Sequence, residues 1–404
     1  MFTESHGVCQ KQGKPKVLIL NSKVTEVATH IDEWEQLSEY FDFVLYELTT
    51  TAALQEYLPT SGISALWISA EFFNVVNGLN DILDYLPPSM KLLLIPWVGY
   101  EFSDPKMLRE KYDITVCNIG PNSAANAAEL AVHLSVSCFR LTSFWEHCFR
   151  FMAPSIRGAR EFVGGTECEV VPPIAVSEGP LGDNEVELKG CSTSYMFPKR
   201  KQDQKRLNLS KECVIANKQM DSLFGKRVLI LGFGSIGQAI GKRLSLGFEM
   251  EIFYHKRSGP VKDGTLPYSP TYLASLDHET CSEIDLIILA LPGGPGTENM
   301  VNEEFLSKFK DGVRIVNVGR GSCIDEDAFF KGLDSGKIAS AGLDVYKGEN
   351  SNQIDKRFFQ RWDVTLLPHI GTMFGSYYVT ATRITLKNLE SFFIKGEGGI
   401  YPLN

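Results

Sequence analysis

The sequence predicts an α/β protein made of two doubly wound parallel sheets, one larger and one smaller, around a cleft. Three observations carry this. Short apolar runs alternate with amphipathic stretches along most of the 404 residues. The runs are continuous rather than alternating, as expected of strands covered on both faces. The strand–helix series also occurs twice, restarting at Arg227 after a stretch with no sustained period.

The first series opens with Lys16–Asn21 as a buried strand. Phe43–Leu48, Ala65–Ser69 and Leu92–Pro96 follow as further strands. Residues Ala127–Arg140 carry Leu130, Leu134 and Cys138 at helical spacing and predict a long buried helix. In the second series, strands are expected at Val228–Leu231, Glu251–Tyr254, Leu286–Leu291, Arg314–Val318, Ala341–Val345 and Val364–Leu367. The last apolar helix, Tyr378–Phe393, presents Val379, Ile384, Leu386 and Leu389, a face suited to docking back on the first domain. The expected division is 1–140, completed by 370–404, and 141–369, with an insertion at 155–222. The insertion runs from acidic (Glu178, Asp183, Glu185, Glu187) to basic. Pro198–Glu212 holds six basic and two acidic residues. It reads as a solvated loop, with partner docking as the other possibility.

Composition narrows the class. The net charge is 40 − 49 = −9, which argues against a nucleic-acid or anionic-membrane partner. The nine cysteines are odd in number and lack C-x-x-C spacing, and the seven histidines are scattered, so no metal site is expected. Reduced thiols, a polar Met1–Lys16 and apolar runs far short of the ~20 residues of a membrane span point to a cytoplasmic protein.

The sharpest motif is Gly232-Phe-Gly234-Ser235-Ile236-Gly237, between the strand Val228–Leu231 and a helix face of Ile236, Ala239, Ile240 and Leu244. Here Gly232 permits the tight turn, Gly234 lets a pyrophosphate approach the backbone, and Gly237 allows close helix–strand packing. This marks the second domain as a Rossmann-type cofactor domain. The next strand ends in His255-Lys256-Arg257-Ser258, without the acid that would bind a ribose 2′-hydroxyl. Two cations and a hydroxyl suit a 2′-phosphate, so NADP is favoured over NAD. Leu291, Pro292, Val318, Gly319, Asp344 and Gly371, at or beside later strand ends, complete the expected cofactor contacts. For Asp344 the expected partner is the nicotinamide carboxamide.

Three segments near strand ends bring Arg320, Glu349 and His369 toward the same crevice. Arg320 is a planar cation suited to a 2-oxo acid's carboxylate and carbonyl. His369 is suited to proton transfer at that carbonyl oxygen. Glu349 would orient His369 and raise its pKa. With the Gly-rich motif, the Asn317-x-x-Arg320-Gly, Asp344-Val-Tyr-x-x-Glu349 and Pro368-His369-Ile-Gly371 segments resemble the D-isomer-specific 2-hydroxyacid dehydrogenase family, in order and spacing. Similarity is strong from Gly225 to Gly371. It extends more weakly to Pro96–Tyr100 and to Asn118–Glu129.

The resemblance implies that Arg320, Glu349 and His369 are the catalytic trio. It further implies that Val98 and Gly99 offer N–H groups to the substrate carboxylate, that the smaller domain is flavodoxin-like and closes on the cofactor domain, and that the protein is a homodimer. The His255–Ser258 segment is similar to the NADPH-using glyoxylate/hydroxypyruvate reductase branch, so those two small 2-oxo acids are the expected substrates. The chain departs from the family pattern at Asn350, where proline is usual, at Thr372–Gly375, in the flexible Gly293–Gly296 segment and in its long insertion. The alternatives are a bulkier 2-oxo acid or a dinucleotide-sensing, corepressor-like protein whose working surface is the insertion. Trp97, Tyr100, Met373 and Phe374 are read either as pocket lining or as core. Cys323 is read as core. His133 is placed on a helix of the smaller domain, and no role is assigned to His133, His147 or His278.

Overall fold

The computed structural model describes residues 13–21, 25–172, 194–201, 207–262, 264–349 and 353–404. The acidic stretch Glu178–Glu187, the cations Lys205 and Arg206, Cys9, Cys191 and Asn350 lie outside the described residues. The chain divides into two compact units, 1–123 with 373–404, and 124–372.

The first unit holds five parallel strands, β1 (Lys16–Asn21), β2 (Asp42–Glu47), β3 (Ala65–Trp67), β4 (Leu92–Leu94) and β5 (Thr115–Cys117), in the order β2-β1-β3-β4-β5. Period-two alternation sorts β1 between two cores. Leu18 and Leu20 pack with Leu54, Leu58 and Ile63, whereas Val17 and Ile19 pack with Leu386 and Leu389. Those last two belong to the helix Gly375–Leu389, so the second face of the sheet is covered by the returning chain. Thr382 Oγ1 accepts the N–H of Ala28 at 3.0 Å. Beyond the helix, Pro402 bridges Cys117 antiparallel and Leu403 N–H donates to the Val116 carbonyl at 2.8 Å, covering the free edge of β5.

The second unit has two small antiparallel pairs followed by a seven-stranded sheet. The pairs are β6 (Cys168–Val171) with β7 (Tyr195–Pro198), and β8 (Val214–Ile215) with β9 (Lys218–Gln219). The sheet comprises β10 (Arg227–Leu231), β11 (Glu251–His255), β12 (Thr271–Tyr272), β13 (Leu286–Leu289), β14 (Val313–Asn317), β15 (Ile338–Leu343) and β16 (Val364–Leu366). Its order is β12-β11-β10-β13-β14-β15-β16, with every pairing parallel. The chain winds outward from β10 in one direction and then from β13 in the other. The β10/β13 boundary is therefore the switch point where a ligand crevice opens at the carboxyl ends.

Two findings differ from the sequence reading. The boundary falls at Ala124 rather than after residue 140, because the helix Ala124–Arg140 packs in one core with β10 and the helix Ser235–Phe248. His133 accordingly sits on a helix of the larger unit. The described part of the insertion is also not a bare loop. Phe144 stacks on Phe197 at 5.2 Å and meets Trp362 at 5.6 Å. Lys218 donates to the carbonyls of Leu333 (2.7 Å) and Ile338 (2.9 Å), tying the β8–β9 hairpin to the main sheet. Strands of two to four residues are too short for a periodic signal.

Candidate active site

The first loop is the turn after β10. Gly232 has φ +88°, and a Cβ there would run into the carbonyl of Ala290. A Cβ on Gly237 would meet the Gly232 carbonyl oxygen, so the helix Ser235–Phe248 starts hard against the turn. Gly234, by contrast, faces open space and is exposed, as is Ser235. No side chain among the described residues caps this helix N-terminus. A 14-residue helix with uncapped first-turn N–H groups and an open glycine before it fits a dinucleotide pyrophosphate. Ile236 supplies apolar packing against the neighbouring core.

The end of β11 lies beside this turn, since Gly232 N–H donates to the His255 carbonyl at 3.0 Å. The His255 ring is committed elsewhere, with Nδ1–H donating to the Leu273 carbonyl at 2.8 Å. Lys256 is half-buried, and Arg257 and Ser258 are exposed. No carboxylate among the described residues pairs with either cation.

The next loops carry Leu291 and Pro292 after β13, and Val318, Gly319 and Arg320 after β14. Asn317, fully buried, shapes the β14 loop. Its Oδ1 accepts the Gly319 N–H at 3.0 Å and its Nδ2 donates to the Arg320 carbonyl at 2.9 Å. Its own carbonyl accepts the Asp344 N–H at 3.0 Å. Gly321 sits so close to the next loop that a Cβ would coincide with the Tyr346 carbonyl carbon.

Asp344 is 3% exposed. Its two carboxylate oxygens accept the N–H groups of Ile370 (2.8 Å) and Gly371 (3.1 Å), the two residues after His369. Besides the nicotinamide contact that the sequence reading expects of it, Asp344 has this backbone task in the structure. Burial raises its pKa, against the lowering effect of those N–H groups. His369 has φ +54°, a strained conformation for a residue with a Cβ. The Asp344 clamp holds it there.

His369 Nδ1 lies 3.2 Å from Glu349 Oε1. The other carboxylate oxygen of Glu349 accepts the Tyr346 N–H at 3.1 Å. The Glu349 hydrogen bond raises the His369 pKa, opposed by partial burial and by the nearby Arg320 charge. Tyr346 is buried, and its hydroxyl reaches the carbonyls of Leu343 (3.1 Å) and Leu367 (2.9 Å), joining the ends of β15 and β16. Glu349 and His369 thus meet, and the Arg320 charge acts on the His369 ring. Asn317 and Tyr346, which the sequence reading quoted without roles, are the struts beneath them. A buried asparagine and a tyrosine at strand ends were the available signals.

In the first unit, Val98 and Gly99 follow β4. Asn118 Nδ2 donates to the Val98 carbonyl at 2.9 Å, and the Tyr377 hydroxyl to the Pro96 carbonyl at 3.2 Å. With those carbonyls fixed, the N–H groups of Val98 and Gly99 have no acceptor among the described residues. Trp97 packs with Phe73 and Phe102. Tyr100, Met373 and Phe374 are exposed, not core. Cys323 is buried.

The fold and this arrangement define an oxidoreductase that uses a nicotinamide dinucleotide. A family profile described as D-isomer specific 2-hydroxyacid dehydrogenase, NAD binding domain, matches residues 196–371. A Saccharomyces cerevisiae protein named for the 2-hydroxyacid dehydrogenases, without a substrate, is 42% identical over 393 residues, 97% of this chain and 96% of that one. The 4-methyl-2-oxopentanoate reductase A of Aspergillus oryzae is 39% identical over 175 residues, 43% of this chain and 50% of that one. A solved glyoxylate reductase from Paecilomyes thermophila shares the fold, with TM-score 0.72, 24% identity, and coverage of 97% of this chain and 99% of that one. The chain belongs to the D-isomer-specific 2-hydroxyacid dehydrogenase family.

Proposed function

We propose that the protein reduces a small 2-oxo acid to its D-2-hydroxy acid with NADPH, with glyoxylate and hydroxypyruvate as first substrates. The observation that carries the chemistry is the His369–Glu349 hydrogen bond, with the Arg320 charge close enough to act on the His369 ring. When bound, the reduced nicotinamide supplies the hydride. Arg320 holds the substrate carboxylate and polarises its carbonyl. The protonated His369 Nε2 gives its proton to the carbonyl oxygen, while Glu349 holds Nδ1–H and stabilises the imidazolium. Val98 and Gly99 N–H groups take the substrate carboxylate. The candidate cofactor contacts are Gly232, Gly234, Ser235, Ile236, Gly237, Leu291, Pro292, Val318 and Gly319. Lys256, Arg257 and Ser258 are assigned to the 2′-phosphate.

A second reading, a bulkier branched 2-oxo acid, is favoured by the match to the 4-methyl-2-oxopentanoate reductase. A cytoplasmic homodimer goes with either reading.

The test is loss of NADPH or NADH absorbance with purified protein and a panel of 2-oxo acids that includes glyoxylate, hydroxypyruvate and 4-methyl-2-oxopentanoate. NADPH-linked turnover that disappears in His369→Ala is expected. Failure to reduce any acid while NADPH binds would overturn the reading and favour a dinucleotide-sensing role.

A further inference from the structure

The first unit holds a buried amide whose donor is spent on the loop of Val98 and Gly99. Asn118 stands directly after β5 and is 5% exposed. Its Nδ2 donates to the Val98 carbonyl at 2.9 Å, and its Oδ1 accepts the Gly120 N–H at 2.8 Å. Its backbone N–H donates to the Tyr401 carbonyl at 3.2 Å, and its carbonyl accepts from Asn388 Nδ2 at 2.9 Å. Asn388, 1% exposed on the helix Gly375–Leu389, turns its Oδ1 to the N–H groups of Ile400 (2.9 Å) and Tyr401 (3.1 Å). This network fixes which way the Asn118 amide faces. Exchanging Oδ1 and Nδ2 would set donor against donor at Gly120 and acceptor against acceptor at Val98.

Holding the Val98 carbonyl also decides where the next N–H points. The peptide between Val98 and Gly99 is planar and trans, so its C=O and N–H face opposite ways. With the carbonyl turned to Asn118, the Gly99 N–H is aimed away from the loop after β5. A peptide that precedes glycine turns over at little steric cost. The turned form would present a carbonyl oxygen where the N–H stood, and an oxygen repels a carboxylate. The Val98 side chain already packs against the cluster of Ile119, Tyr377 and Ile384. The orientation of this one peptide is the freedom that Asn118 removes.

We propose that Asn118 is a positioning residue for substrate binding. By holding the Val98 carbonyl it keeps the Gly99 N–H presented to the carboxylate that every 2-oxo acid carries. Asn388 and the segment Ile400–Tyr401 hold Asn118 in turn, so the returning chain sets the geometry of the carboxylate loop. The proposal rests on the 2-oxo acid reductase reading and on the role given there to Val98 and Gly99. The carboxylate is held alike before and during hydride transfer, so loss of this aim weakens binding rather than chemistry.

The experiment compares Asn118→Ser and Asn118→Ala with the wild type. A serine hydroxyl still accepts the Gly120 N–H two residues on but is too short to reach the Val98 carbonyl, whereas alanine loses both bonds. In both variants KM for glyoxylate, hydroxypyruvate and 4-methyl-2-oxopentanoate should rise by the same factor, about tenfold or more, as for a lost hydrogen bond to a charged group. The kcat should change by less than about twofold, and Ki for the dead-end analogue oxamate should rise with KM. The melting temperature should fall further in Asn118→Ala than in Asn118→Ser, so that affinity and stability part company. The serine variant carries the kinetic test if the alanine variant does not fold. Unchanged KM and Ki in Asn118→Ser, a fall in kcat alone, or a KM effect that follows the melting temperature from one variant to the other overturns the positioning role while leaving the reductase intact. Absence of turnover by the wild type with every 2-oxo acid overturns the reductase reading and the proposal with it.

Discussion

Glu349 grips the Nδ1 side of His369 at 3.2 Å while the Tyr346 backbone N–H holds its other oxygen. The carboxylate is thereby fixed as an acceptor and the imidazole is turned with Nε2 as its free nitrogen. The hydrogen bond raises the His369 pKa above its ordinary 6.5. Reduction consumes the protonated ring, so kcat/KM for the 2-oxo acid should hold on the acid side and fall as pH rises through the raised value. Glu349→Gln should move that break toward lower pH, and His369→Ala should cost about 10²–10⁴ in rate. A pH–rate profile of both variants checks this. The same sign applies to stability. The contribution of this pair is present below about pH 6.5 and is lost as pH rises through the folded value.

Asp344 serves two peptide N–H groups with two oxygens, and an asparagine has only one to offer. Asp344→Asn should destabilise the protein by about 1–3 kcal/mol, the cost of one buried donor left facing another. Turnover should fall further than stability alone explains, because His369 loses the clamp on its strained backbone. Urea unfolding together with single-turnover kinetics separates the two effects.

The positions of Lys256 and Arg257 make cofactor choice testable by charge. Arg257→Ala should reduce the preference for NADPH over NADH by about tenfold or more, as expected for loss of a charged hydrogen bond worth about 1.5–3 kcal/mol. The NADH rate should be unaffected. An unchanged preference in this variant, with Lys256→Ala equally silent, would sink the 2′-phosphate assignment.

Two glycines should behave oppositely. A methyl group on Gly234 meets no heavy atom of the protein within 4 Å, so Gly234→Ala should fold with an unchanged melting temperature. It should nevertheless weaken dinucleotide binding, because the methyl projects where the pyrophosphate must approach. Gly321→Ala places a methyl group on the Tyr346 backbone and should unfold at markedly lower temperature. Thermal melts and NADPH titration of the two variants give the comparison.

Much of this was legible in the sequence where the physics is local. The turn Gly232–Gly237 announced itself through steric demands that only glycine meets. The order of Arg320, Glu349 and His369 followed from strand ends that share one edge of a doubly wound sheet. What escaped depends on contacts distant in sequence. Asp344 carries the same carboxylate whether it meets a ligand or the peptides of Ile370 and Gly371, 26 and 27 residues away. The helix Ala124–Arg140 was found, but its apolar face does not say which sheet it covers. Strands β5 and β12 and the four in the insertion are too short to show a period.

The return of residues 375–404 to the first sheet has a consequence for how the protein is made. Helix Gly375–Leu389 covers Val17 and Ile19, and Leu403 pairs with Val116, so the first sheet is finished by residues synthesised some 250 positions after its last strand. On the ribosome the continuous unit 124–372 has all its parts first, while the earlier-made strands wait with one apolar face and one edge bare. The N-terminal sheet is thus the last to mature, and truncation of the distant helix would strand it in an aggregation-prone form.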